Sequence, residues 1–568
     1  MRFGSTKEVR YHKEKDKSYV TMQYAIGVSD FKLLRSSSNL LKQSSFYIDK
    51  TLFIKDLLID ATEVFVFPRP RRFGKTLNLS MLKYFFDIQK AQENRSLFDG
   101  LNISQNAAAM KYQGRYPVIF FTFKDFKCST YDNFLSAMKK LIYKVYKEHD
   151  YLLTSPLLNQ LDKNDLKPYF STECSLELSV IDIQDAFQTL SAMLRKHHNQ
   201  QVIILLDEYD TPLTEAYVAD YYDQTIAVMR GFLGATFKDN NNLFKGIITG
   251  ITRVAKESLF SDFNNPGIYD ITQMEYSQYF GFTQEEVHAV CDQQSLKDIT
   301  DWYNGYRFGE NTIIYNPWSI LNYLKKNQRL EPYWINTSSN DLIKKDLTAD
   351  KFRDVQALLD GKTLDIEVQP FTVMADLKID SNAFWNLLFM AGYLTLDEKG
   401  HFKIPNKEIK YFFERTIINW FNCPQYPNFL MSLLEDFIQG NIMNIQNKLT
   451  AVILDTMSFH DVAENRQEAL YHGFMLGMSL GLKGRYEVES NRESGYGRYD
   501  IAWFPKDPFK DPGVIFEIKI AQNETAQTAL EQMDDKQYAT ALKKHGCKTI
   551  KMYGLHFDGK IVTTKMFS

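Results

Sequence analysis

The chain has 568 residues (66.3 kDa), 44% hydrophobic and 24% charged, which excludes wholesale disorder and predicts more than one core, at about 100–200 residues per domain. A net charge of -3 and a pI near 6.4 exclude a chain that coats nucleic acid through a global basic excess, so any such contact must come from a local patch. Five cysteines with no CxxC pair argue against a zinc site and for free thiols in a reducing, cytoplasmic compartment.

No apolar run is long enough to cross a membrane as a helix, and the basic N-terminal segment lacks the apolar stretch of a secretory signal. Residues 1–24 are polar and charged and predict a flexible tail. From 25 to 275, short apolar runs alternate with longer amphipathic stretches. The runs are Val64–Phe67 (VFVF), Val118–Phe123 (VIFFTF), Val202–Leu206 (VIILL) and Gly246–Thr249 (GIIT). They lack period-2 alternation, as strands buried on both faces do, and the intervals have room for crossover helices. This predicts an α/β domain with a parallel sheet.

The segment Phe67–Leu77 (FPRPRRFGKTL) joins the VFVF strand to a helix-like stretch. Its Gly74-Lys75-Thr76 matches the end of a P-loop. There Lys75 would reach the β- and γ-phosphates and Thr76 would bind Mg²⁺, with the backbone of Arg72, Phe73 and Gly74 facing the anion. Arg69 stands where such a loop begins with glycine, which leaves open a basic turn that merely contains Gly-Lys-Thr. VIILLDEYD is a buried strand ending in acids. Asp207 would hold Mg²⁺ and Glu208 would orient an attacking water. VIFFTF, between the two motifs, fits an extra strand of the ATPase sheet. After GIIT, Thr249, Thr252 and Arg253 stand where a γ-phosphate could be sensed, although Arg253 alone reads as readily as structural.

From 276 to 460 helical spacing predominates, as in Ser381–Leu396 and Tyr411–Phe421, with a short β element near Tyr393–Ile404. This predicts a helical lid or linker domain, a route for self-association. From 461 to 568 the pattern is α-β-β-β-α-β. It runs from a helix at Glu464–Leu482 through strands at Tyr486–Ser490, Tyr499–Phe504 and Val514–Ile520. A helix at Thr525–His545 and a last strand at Thr549–Phe557 complete it.

Glu-Ile-Lys occurs twice. Glu408-Ile409-Lys410 runs into a helical stretch, where residues two apart do not share a face. Glu517-Ile518-Lys519 lies in a strong strand, where they do. Asp500 opens the preceding strand, and the Pro/Gly/Asp-rich connection Pro505–Gly513 predicts a hairpin that brings it to Glu517. Asp500 and Glu517 can hold Mg²⁺, with Lys519 stabilising developing charge on a phosphodiester. Glu468 on the preceding helix can add a carboxylate, and Gln537-Tyr538 can contact the site. The bland alternative is a salt bridge on an edge strand.

YIDKT, RPRRFGKTL, LLDEYDTPL, TGITRVAKESLFS, WYNGYRFG, YNPWSI and YWINTSSN (between Tyr47 and Asn340) resemble the AAA-ATPase-like domain of many bacterial proteins. In that family the RPRRFGK form is usual, so Arg69 is expected there. YHGFMLGMSLGL, SNRESGYGRYDI and FEIK (between Tyr471 and Lys519) resemble the PD-(D/E)xK nuclease superfamily. The resemblance implies Asp500, Glu517 and Lys519 as catalytic residues, with Glu468 as a helix carboxylate. Together they imply an α/β chain with three parts: a P-loop NTPase domain, a helical middle domain and a PD-(D/E)xK-type domain. The implied cofactors are ATP and Mg²⁺, and the implied substrate is nucleic acid, DNA first. The alternative function is a nucleotide-gated switch that binds nucleic acid or a partner without cutting.

Overall fold

The computed structural model describes residues 24–40, 46–170, 177–238, 240–252, 266–335, 351–369, 380–421, 429–456, 467–482, 484–520, 524–559 and 561–567. The tail expected at 1–24 lies almost wholly outside them. The chain forms two compact units: 1–338 with 365–408, and 339–364 with 409–568. The stretch 276–460, expected as one helical domain, contributes to both. It also carries strands. Among the described residues no helix is long and apolar enough to cross a membrane.

The first unit is built on a parallel sheet of β1 (Val64–Pro68), β2 (Val118–Thr122), β3 (Val202–Asp207), β4 (Leu243–Gly250) and β5 (Gly267–Ile268), in the order β2-β3-β4-β1-β5. The apolar runs form strands as their lack of alternation predicts: β1 and β3 are buried at every residue. Helices Val180–His198 and Tyr222–Phe237 cross over and pack on the sheet, closing a core that includes Phe121, Phe187 and Phe232. VIFFTF does form a strand of this sheet, β2. β4, the GIIT strand, lies between β1 and β3 and pairs with both, whereas the VIFFTF strand β2 flanks β3 on its other side. Motif order along the chain does not constrain strand order in a sheet whose connections are long crossovers. A three-stranded antiparallel sheet follows, from β6 (Phe282–Thr283), β7 (Tyr306–Phe308) and β8 (Thr312–Tyr315) in the order β6-β8-β7. The expected short β element is the hairpin of β9 (Thr395–Leu396) and β10 (Phe402–Lys403).

The second unit holds a mixed sheet of β11 (Tyr486–Ser494), β12 (Gly497–Pro505), β13 (Gly513–Lys519), β14 (Ile550–Asp558) and β15 (Ile561–Phe567), in chain order. β11, β12 and β13 pair antiparallel, so the Pro505–Gly513 hairpin forms. Helix Ala526–Asp535 makes the crossover to β14, which runs parallel to β13. The reading of Thr549–Phe557 as the last strand missed β15. The helix expected over Thr525–His545 breaks at Gln537, which adopts φ +54°. Helix Ile442–Thr456 covers the β15 edge, where Thr450 Oγ1 and Gln446 Oε1 accept from the backbone N–H groups of Val562 and Thr564. Such cover blunts an open strand edge.

Candidate active sites

The first site gathers at the C-terminal ends of β1, β3 and β4, where parallel sheets place their ligands. β1 ends at Pro68, and helix Lys75–Phe86 begins after a loop in which Arg72 (φ +67°) and Gly74 (φ +87°) are left-handed. A non-glycine residue in this region is held there by its surroundings. Arg72 lays its guanidinium on the Trp318 ring, 4.4 Å from the centroid. Phe73 is buried against Tyr306 and Phe308. Arg71 O accepts the indole N–H of Trp334 at 3.0 Å.

Arg69 is fully buried, its guanidinium over the rings of Phe280 and Phe308 (4.9 and 5.4 Å) and donating to the carbonyls of Pro68 and Tyr269. Burial lowers its pKa to about 9. Arg69 is therefore a pin beneath the loop. Lys75, also buried, donates to the carbonyls of Arg69 (2.9 Å) and Pro70 (3.0 Å), and burial lowers its pKa.

Asp207 ends β3 fully buried. Its two carboxylate oxygens accept hydroxyls from two elements, Thr76 at the helix start and Thr249 at the end of β4, each at 2.6 Å. Thr76 and Asp207 thus present oxygen donors side by side, the chemistry Mg²⁺ prefers. Glu208 follows at φ +55°, its pKa raised by burial and then by Asp207.

The next two residues were not singled out from the sequence. The Tyr209 hydroxyl donates to Thr252 O at 2.7 Å, and Asp210 Oδ2 accepts from Ile251 N, Thr252 N and Thr252 Oγ1 at 2.7–2.9 Å. A Cβ at Gly250 would stand 2.5 Å from the Tyr209 ring. LLDEYD thereby fixes the chain as it leaves β4. Arg253, one residue on, lies outside the described residues.

The second site lies on β12 and β13. Asp500 Oδ2 accepts the backbone N–H of Ile518 at 2.7 Å. Glu517 and Lys519 project on one side of β13, with Lys519 Nζ 3.4 Å from Glu517 Oε1. Gln532, on helix Ala526–Asp535, ties the two together: its Oε1 accepts from Lys519 Nζ at 2.7 Å, and its Nε2 donates to Glu517 Oε1 at 2.5 Å and to the Tyr538 hydroxyl at 3.1 Å. The sequence reading expected Gln537-Tyr538 here. Tyr538 does reach the site's frame, but the amide is that of Gln532, five residues before Gln537 and carrying no signal of its own.

Glu517 is 4% exposed, and its Oε2 has no hydrogen-bond partner among the described residues. Burial, then the charge of Asp500, pushes its carboxyl well above the usual range. Burial works against the Lys519 charge, but Glu517 and Glu524 outweigh it and hold the ammonium's pKa above its ordinary value. Among the described residues no group of three or more His, Cys, Asp or Glu forms a ready-made metal cluster. A two-carboxylate set with one oxygen unpartnered is the kind that Mg²⁺ shares with water and phosphate. His472, on helix Gln467–Ser479, lies 3.1 Å from Asp500 O. Glu468 is one turn before it, and its side chain lies outside the described residues.

Glu408, in the other Glu-Ile-Lys, does start a helix, Lys407–Phe421. It is buried in the first unit and accepts from Ser319 Oγ (2.7 Å) and Trp334 N (2.6 Å).

Residues 25–260 match the family model described as "Predicted AAA-ATPase", and residues 466–567 match that of the PD-(D/E)XK nuclease superfamily. An "uncharacterized protein in vnfD 5'region" of Azotobacter chroococcum mcd 1 is 26% identical over 559 residues, covering 94% of this chain and 96% of its own.

Proposed function

With an AAA-ATPase-like domain at residues 25–260 and a PD-(D/E)XK nuclease superfamily domain at residues 466–567, we propose that this protein binds and hydrolyses ATP and cuts nucleic-acid phosphodiester bonds, DNA first, with Mg²⁺ at both sites. The observation that carries the nuclease reading is Glu517 Oε2, a buried carboxylate oxygen with no hydrogen-bond partner among the described residues. Buried polar atoms are rarely left so unless an ion or water completes them.

Asp500 and Glu517 would hold Mg²⁺, which when bound lowers the pKa of a coordinated water and offsets phosphodiester charge. Lys519 remains an ammonium because Glu517 and Glu524 favour its charge. Its role is therefore to donate to the attacking water or a phosphate oxygen rather than to take a proton. Gln532 keeps Lys519 and Glu517 in register, and Glu468 would add a carboxylate from the helix side.

In the first unit, Lys75 would exchange the carbonyls of Arg69 and Pro70 for the β- and γ-phosphates, while the backbone of Arg72, Phe73 and Gly74 faces the phosphates. Thr76 and Asp207 would hold Mg²⁺, Glu208 would orient the attacking water, and Arg253 would meet the γ-phosphate. Cys128, Cys291 and Cys547 are unbridged, which suits a cytoplasmic setting.

The test is a cleavage time course on supercoiled and single-stranded DNA with Mg²⁺, with and without ATP. Lys519→Ala and Asp500→Ala should abolish cutting, and Lys75→Ala should abolish ATP hydrolysis. Hydrolysis of ATP with no cutting under any condition would replace the nuclease reading with that of a nucleotide-gated switch.

A further inference from the structure

The turn between β11 and β12 displays a residue that neither site uses. Tyr496 is 76% exposed. Single exposed rings are common and mean little alone, but three observations set this one apart.

The turn is pinned. Ser494 is buried, donates to Tyr538 O at 2.6 Å and accepts the Ala541 N–H at 3.0 Å. Tyr496 N–H itself donates to Lys536 O at 2.7 Å. The ring is thus presented from a fixed backbone, which reduces the ordering cost of binding.

The turn also feeds the site. β12 (Gly497–Pro505) follows the turn directly, with Arg498 exposed and Asp500 half-buried. Tyr496 in the turn therefore stands four residues before Asp500, a separation that extended chain spans in about 13 Å at most. Finally, the turn and the carboxylate site share a support. Tyr538 accepts at its carbonyl from Ser494 of the turn, and its hydroxyl accepts from Gln532, the residue that holds Glu517 and Lys519.

Resting on the nuclease reading of Asp500, Glu517 and Lys519, we propose that Tyr496 is a stacking platform for an unpaired base of the substrate strand, with Arg498 on the phosphate between that base and the cleavage site. An exposed flat ring two residues from an exposed arginine matches the two surfaces of a single strand, its base face and its phosphate. An intact duplex buries its base faces. The partner is therefore nucleic acid with unpaired bases: a single strand, a flap or a frayed end.

The test uses the full chain carrying Asp500→Asn, so that substrate is held uncut, and measures anisotropy of a labelled single-stranded 20-mer and its blunt duplex. Adding Tyr496→Ala should weaken single-strand binding roughly ten- to a hundred-fold, while Tyr496→Phe stays within about two-fold. Duplex binding should change by less than about two-fold with either variant. Arg498→Ala should lower the salt slope of single-strand binding by about 0.7. Unchanged single-strand affinity in Tyr496→Ala, or equal losses on both substrates, would overturn the platform. The nuclease reading would then still stand if Asp500→Ala and Lys519→Ala abolish cutting in the otherwise native chain. A chain that neither binds nor cuts nucleic acid would overturn both.

Discussion

Glu408 shows how far one buried carboxyl can depart from its sequence context. It accepts hydrogen bonds from Ser319 and Trp334, yet burial outweighs them and pushes its pKa up to about 7. The folded chain thus holds this proton more tightly than the unfolded chain, whose carboxyl titrates near 4.5. The favourable contribution is complete below that lower value and is lost as pH rises through about 7, a change of the order of 3 kcal/mol. Glu408→Gln retains an acceptor for Trp334 N–H and cannot ionise. Its urea midpoint should therefore decline less steeply than that of the native chain between pH 5 and pH 8 (a span of about 3 units). Parallel profiles for the two proteins would contradict this. Glu408 and Glu517 both stand in Glu-Ile-Lys. Helix against strand could be read, but the burial of Glu408 depends on Ser319 and Trp334, 89 and 74 residues away. Arg69 is similar: its misfit to a glycine-led loop was visible, but not the Phe280 and Phe308 rings that house it.

At the scale of elements, the buried parallel strands were legible because burial on both faces removes alternation. β15 was not, since it depends on pairing with β14 and on the cover supplied by helix Ile442–Thr456. The stretch Asn491–Asp500 is a tight β-hairpin. Its turn needs Gly495, at φ +63°, where a Cβ would stand 2.3 Å from Lys536 O and 2.4 Å from Gln537 O. Both obstacles are backbone atoms and cannot swing aside. Gly495→Ala should cost at least about 2 kcal/mol of local stability, from the left-handed conformation and the clash together. Hydrogen exchange across residues 490–500 should then quicken. Unaltered exchange would mean that the turn and the corner at Lys536–Gln537 part without cost. The same docking accounts for the broken helix at Gln537, where Ser494 takes over hydrogen bonds at the corner.

At the scale of the whole molecule, the chain passes between its two units at 338/339, 364/365 and 408/409. Lys75, Thr76 and Asp207 all lie in the first unit. If ATP with Mg²⁺ binds there, amides around 69–76 and 207–210 should exchange more slowly. Ligand at a hundred times its dissociation constant should stabilise the native state by about 2.7 kcal/mol. Lys75→Ala should remove both effects, and unchanged exchange in the native chain would contradict the assignment.

By itself the sequence determined the loop ending in Gly-Lys-Thr with the helix that follows it, the acid-ended strand at Asp207 and the strand bearing Glu517 and Lys519. Each is set by residue type and period within about ten positions, where hydrogen bonding and burial follow the local pattern. Only the tertiary structure decided that β4 stands between β1 and β3, that Asp207 accepts from both Thr76 and Thr249, and that Glu517 Oε2 is buried unpartnered. Thr76 and Asp207 are 131 residues apart. Contacts at such separation are selected by the packing of whole elements, which repays the entropy of closing long loops and leaves no periodic mark in the chain.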